Sequence, residues 1–181
     1  AHLDSHTPET SYSGAIHGMP LACLLGRGDK RLLDMGLIGA QISAAHTVVL
    51  GPRSYEPEEF AFLQRMGVRI IDSEEVHQRD FVDCLAEAVG IVSAAPAGFG
   101  VTLDLDAIDP QLAPGVGSPE PDGLVAHDAL MAIHLAAGMP GFKALEIVEY
   151  NPDRDQYGAT ASLISDLIGQ VLPDTAIRAD Q

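Results

Sequence analysis

Four short apolar runs alternate along this chain with stretches of helical period. That alternation limits the fold more than any other feature. The runs lie at residues 47–51, 68–72, 99–106 and 144–150 and are rich in Val, Ile and Leu. Their length and bounding turn or charged residues predict strands. Between them, residues 56–65 carry Glu58 and Glu59 at the start and Arg65 at the end, the charge order that suits a helix dipole. Residues 81–92 place apolar side chains at 81, 82, 85, 88, 89 and 92, a helical spacing. Residues 127–137 and 159–172 behave alike, and Pro20 can open a helix through 21–25. Strands separated by helices require crossover connections. The expected class is therefore α/β, a three-layer α/β/α arrangement around a mostly parallel sheet. In such sheets ligands bind beyond the carboxyl ends of the strands.

The chain has 181 residues, enough for one domain with a sizeable core. No repeat or linker divides it. The longest loops are expected at 36–45 and 109–123, and the polar tail after Pro173 is expected to fray. Asp and Glu number 26 against 10 Lys and Arg, a net charge of −16. Such a balance argues against binding a phosphate backbone and favours cations, either metal ions or a cationic substrate. No apolar run is long enough to span a membrane, and the polar start Ala-His-Leu-Asp does not read as a signal peptide. The expected compartment is the cytoplasm, with no nucleic-acid or membrane partner. Cys23 and Cys84 lie in apolar, helix-like stretches and read as buried free thiols.

The strongest chemical signal is Thr102-Leu-Asp-Leu-Asp-Ala-Ile-Asp-Pro110. Strand alternation would turn Asp104 and Asp106 to one side, with Leu103 and Leu105 on the other. Two neighbouring carboxylates repel unless a cation or a proton lies between them, and oxygen donors of this kind suit Mn²⁺ or Mg²⁺. The alternative is that one carboxylate caps the following loop while the other faces solvent. His2-Leu3-Asp4 repeats the two-residue spacing at another expected strand end. Together the pairs offer one imidazole and three carboxylates, a mixed set suited to a dinuclear Mn²⁺ centre rather than structural zinc. His17 stands between Gly14 and Gly18 just before a helix, where it could shuttle protons or simply pack. Glu149 ends a strand expected to be buried, where it could hold a cationic group bidentately or cap the next turn.

Taken in order, these motifs resemble the ureohydrolase family of arginases, agmatinases and formimidoylglutamases, and most closely its arginases. Ala1-His-Leu-Asp4 resembles the family's Asp-Ala-His-x-Asp motif without its first Asp. Thr102 to Pro110 resembles Ser-x-Asp-x-Asp-x-x-Asp-Pro, with Thr in place of Ser, and Ala113-Pro-Gly-Val-Gly-Ser-Pro-Glu120 is also family-like. The resemblance runs from Ala1 to about Leu172. It implies that residues 1–181 are the C-terminal part of a single ureohydrolase domain of the arginase-deacetylase type, with the N-terminal strands missing.

The resemblance further implies a centre of two Mn²⁺ ions held by His2, Asp4, Asp104 and Asp106, with two more ligands expected upstream. It implies His17 as proton shuttle, Glu149 as holder of the guanidinium, and Asp4 as orienter of a metal-bridging hydroxide. His6 and Ser13 fall in the loop that contacts the substrate α-carboxylate, and Glu56 falls near its α-amino group. His6 and Ala15 stand where arginases carry Asn. The implied reaction is hydrolysis of a small cationic guanidino compound, L-arginine first, to an amine and urea. Two readings stand beside it: an agmatinase or other guanidino-acid ureohydrolase, and a catalytically silent fragment or scaffold lacking two ligands. A homo-oligomer, trimer or hexamer, is the family expectation.

Overall fold

The computed structural model describes residues 1–35 and 41–172. The first part of the expected 36–45 loop and the tail after Leu172 lie outside the described residues. The chain forms two compact units: His2–Ala95, and Ala1 together with the chain from Pro96 onward. Both contain parallel strands joined by helices, as the α/β expectation requires.

In the His2–Ala95 unit, strand β1 (Val48–Leu50) pairs in parallel with β2 (Arg69–Ile71), Val48 opposite Arg69. Two short helices, α1 (Pro20–Leu24) and α2 (Lys30–Leu33), precede them. Helix α3 (Pro57–Met66) makes the crossover. Proline opens it, Glu58 and Glu59 occupy its first turn, and Gly67 ends it at φ 83°, a left-handed cap that favours glycine. Its Leu63 is fully buried among Leu3, Leu25, Val68 and Ile70. Helix α4 (Ser73–Arg79) starts where the Asp72 side chain accepts the Glu75 amide, at 2.8 Å. Asp80 opens α5 (Phe81–Ser93) in the same way, accepting the Val82 amide at 2.9 Å. Of the expected apolar stripe of α5, Phe81, Leu85, Ala88 and Val89 are buried, Val92 is partly covered and Val82 is exposed, while Cys84 joins the buried face. Cys84 packs with Ile71 and Ala88, against Val48, Leu50 and Val76. Cys23, expected to be buried, is only partly covered, and both thiols are free.

In the other unit, β3 (Phe99–Asp104) and β4 (Phe142–Val148) pair in parallel, from Phe99 opposite Phe142 to Asp104 opposite Val148. Helix α6 (Ala126–Gly138) lies between them in sequence, and α7 (Ala159–Gly169) follows. Leu103, Leu105, Ile108, Val116, Ile133, Leu163 and Leu167 form the core. At the entry to the strands, a Cβ on Gly98 would lie 2.3 Å from the Gly141 carbonyl oxygen, and Gly98 has φ 87°. Only glycine fits this crossing. Two expectations need correction. The 99–106 strand stops at Asp104, because the Asp104 side chain accepts the Asp106 amide at 3.0 Å and turns the chain into a 3₁₀ segment, Leu105–Ala107. Strand β4 is not buried throughout: it alternates irregularly between partly covered and exposed residues. Among the described residues no helix is long and apolar enough to cross a membrane.

Candidate active site

The end of β3 carries two of the candidate residues. Asp104 is the last strand residue and Asp106 sits on the 3₁₀ turn, so alternation does not bring them together. The turn does: their carboxylate oxygens lie within 4.8 Å of each other. Asp104 thus both caps the turn and faces a second carboxylate, which joins the two readings its sequence allowed. Asp106 is only 2% exposed, and the Ala1 ammonium pairs with its Oδ1. Burial, with the Asp106 charge second, pushes the Asp104 carboxyl up to about 7; the Ala1 ammonium and the Asp106 amide oppose this. Two carboxylates this close in a half-buried position repel unless a cation or a proton relieves them.

Glu149 lies one residue past β4, at φ 64° and exposed. Its Oε2 lies over Gly117, 3.5 Å from where a Cβ would stand. The loop under it is fixed by its backbone. The Asn151 amide donates to the Gly115 carbonyl at 2.8 Å, and the Gly115 amide donates to the buried Thr160 hydroxyl at 2.8 Å. Arg154 donates to the Gly117 carbonyl at 2.7 Å. Thr102, the motif's first residue, donates its hydroxyl to Glu146 across the two strands at 2.9 Å.

The second unit carries the remaining candidates. His2 and Asp4 flank Leu3, which is 2% exposed, so the inside-outside alternation expected there holds. They do not end a strand: the segment joins no ladder, and Asp4 takes φ 47°. The Asp4 carbonyl accepts the Leu21 amide at 3.0 Å, fastening this segment to α1. Ser13 is exposed, and its hydroxyl accepts the Ala15 amide at 3.2 Å. His17 is exposed on the 3₁₀ turn Ile16–Gly18. The His6 amide donates to the Gly18 carbonyl at 2.9 Å and ties that turn to the His6 loop.

His6 and Glu56 are in direct contact, Nε2 to Oε2 at 3.0 Å. A third partner, Glu59, was not among the residues singled out from sequence. Its Oε2 lies 3.4 Å from His6 Nε2, and it is 3% exposed. Glu59 accepts the Ser5 amide at 3.0 Å and the Glu56 amide at 3.2 Å. The signal was present: Glu56 and Glu59 hold the N-cap and third positions of α3, the spacing of a capping box. Hydrogen bonds from Glu59 and then His6 hold the Glu56 carboxyl below its ordinary value, while burial raises that of Glu59.

Comparison with known proteins settles the family. The profile of the arginase family matches residues 1–173. The chain belongs to the arginase family. Arginase from Bacillus caldovelox is 36% identical over 171 residues, covering 94% of this chain and 57% of that protein, and its native structure matches with a TM-score of 0.90. Arginase from Bacillus subtilis strain 168 is 32% identical over 95% of this chain and 58% of its own length, and its crystal structure also gives 0.90. The Entamoeba histolytica arginase, solved in complex with L-ornithine, gives 0.85 at 30% identity, covering 94% of this chain and 57% of that one. Proclavaminate amidino hydrolase from Streptomyces clavuligerus, at 22% identity and 0.76, shares the fold. The α/β expectation thus resolves to the arginase fold. The chain spans 57–58% of the length of these curated relatives.

Proposed function

We propose that the protein takes part in metal-dependent hydrolysis of a guanidino compound, L-arginine to L-ornithine and urea, with two Mn²⁺ ions. The observation that carries this reading is the Asp104–Asp106 pair, two crowded carboxylates at a strand end in a chain of the arginase family. The pair fits a metal, because a divalent ion offsets both the burial of the charge and the repulsion between the two carboxylates. His2, Asp4, Asp104 and Asp106 would hold it, an imidazole and three carboxylates suited to Mn²⁺. When bound, the ions supply a water acidified toward neutrality as the nucleophile.

The chain's own residues have distinct tasks in this reading. Asp4 accepts a hydrogen bond from the nucleophile and orients it. Glu149 accepts two hydrogen bonds from the guanidinium and holds its carbon for attack. His17, exposed on its turn, moves a proton to the departing amine. Ser13 and His6 meet the α-carboxylate, and Glu56 meets the α-ammonium group.

A second reading, agmatine or another guanidino compound without an α-carboxylate, is favoured by one observation. His6 is flanked by Glu56 and Glu59, whose charge repels a substrate carboxylate. Urea release with Mn²⁺ from L-arginine, agmatine and 4-guanidinobutyrate separates the two. Release mainly from L-arginine supports the first, mainly from agmatine the second, and none from any of them overturns both. By the same family reading the protein is a cytoplasmic trimer or hexamer; a monomer by light scattering would contradict that.

A further inference from the structure

We propose that His6, Glu56 and Glu59 form a further divalent-cation site, built from residues other than those assigned to the Mn²⁺ pair and suited to a first-row ion such as Zn²⁺. The three side chains each offer a donor atom, all within 4.8 Å of one another. His6 Nε2 stands 3.0 Å from Glu56 Oε2 and 3.4 Å from Glu59 Oε2. Ligands about 2.1 Å from a metal are separated by about 3.0 Å in an octahedron and about 3.4 Å in a tetrahedron. The observed spacings fall on those edges.

The surroundings orient the donors. His6 Nδ1 lies 3.1 Å from the Thr10 hydroxyl. That hydroxyl accepts the Thr7 amide at 2.9 Å and reaches the Thr7 carbonyl at 3.3 Å. Without an ion Nε2 can donate to Glu56; when an ion displaces that proton, Nδ1 carries the ring proton and gives it to Thr10, whose own proton goes to the Thr7 carbonyl, and Nε2 presents a lone pair to the ion. A histidine whose far nitrogen is held by a fixed acceptor is the ordinary arrangement of a metal ligand. Glu59 is held by two backbone amides, from Ser5 and Glu56, on the first turn of α3. His6 and Glu59 are buried, at 9% and 3% exposure, whereas the Glu56 side chain is 45% exposed and leaves a way in. Imidazole with two carboxylates, and room for a fourth ligand from solvent, is a donor set for zinc or its neighbours.

The proposal has one kinetic consequence, which rests on the assignment of Glu56 to the substrate's ammonium group. An ion here occupies the same oxygens, so Zn²⁺ added while Mn²⁺ is held saturating raises KM more than it changes kcat.

Zn²⁺ titration by calorimetry, with Co²⁺ absorption as a second signal, tests the site without any activity measurement. In the Asp104→Asn/Asp106→Asn background one Zn²⁺ per chain is expected to remain. Adding His6→Asn or Glu59→Gln there should weaken it by about 100-fold or more. In the otherwise unaltered protein, Glu59→Gln should lower the zinc count by one while circular dichroism stays unchanged. Zinc binding that His6→Asn and Glu59→Gln leave intact in folded protein, or no zinc bound at all, overturns the proposal. Urea release can fail while zinc binds, and zinc binding can fail while urea is released, so the two readings fall separately.

Discussion

Replacing Asp104 with Asn isolates the electrostatic claim at the candidate metal centre. Asn keeps the size and the acceptor for the Asp106 amide, so the 3₁₀ turn survives while one charge is lost. In the folded chain the Asp104 carboxyl is raised from 3.8 to about 7. A raised acid contributes stability that is complete below its unfolded value and is lost as pH climbs through the folded value. At about 1.4 kcal/mol per tenfold, that displacement corresponds to about 4 kcal/mol at most. Partial solvent access and the shared titration with Asp106 bring the expected figure to about 2–3 kcal/mol. Metal-free Asp104→Asn should therefore match the unaltered protein at about pH 4 and exceed it by this amount at about pH 8. For a chain of this size the gap appears as roughly 4–12 °C in Tm. Saturating Mn²⁺ should reverse the order at the higher pH, because the protein with Asp104 binds the ion more tightly and gains more from it. Guanidinium titrations followed by circular dichroism, with and without chelator, read all of this. A chelated Asp104→Asn protein that is less stable at high pH, or a gap that ignores pH, would refute the reasoning.

Other perturbations test how the site is held. Thr160→Val keeps the shape of a fully buried side chain but orphans the Gly115 amide; denaturant unfolding should show a loss of about 1–3 kcal/mol, and Thr160→Ser should restore most of it. Gly98→Ala must displace the Gly141 carbonyl at a left-handed position; soluble yield and Tm should both fall, and denaturant unfolding should show a loss of more than roughly 1 kcal/mol. Leu63→Ala empties a fully buried position in the α3 core and should cost about 2–5 kcal/mol by the same unfolding measurement.

Where the sequence succeeded, a local period carried the information. The 81–92 stripe reappears as the buried face of α5, and the four apolar runs reappear as β1 to β4. Where it failed, a side chain overrode the period. Asp104 captures the Asp106 amide and ends the strand early, so the two carboxylates meet through a turn rather than through alternation. Helix α4 has too few apolar residues for a periodic signal, and the Asp72 cap with the Arg69, Arg79, Glu75 and Glu87 ion network accompanies it instead. That network also accounts for two acidic side chains among the 26. Glu59 was missed because a first-turn acid suits the helix dipole and needs no other explanation, while its contact with His6 joins residues 53 positions apart. Spacing within a motif does not reveal such a pairing.

In the proposed function the carboxylates at the end of β3 serve a metal needed to hydrolyse a guanidino group. The most direct measurement is urea production from L-arginine and agmatine as chelated protein is titrated with Mn²⁺, beside the Asp104→Asn/Asp106→Asn variant. The rate should rise from baseline with added Mn²⁺, while the variant stays at baseline. Urea release indifferent to chelation, or equal rates from the protein and the variant, would contradict it.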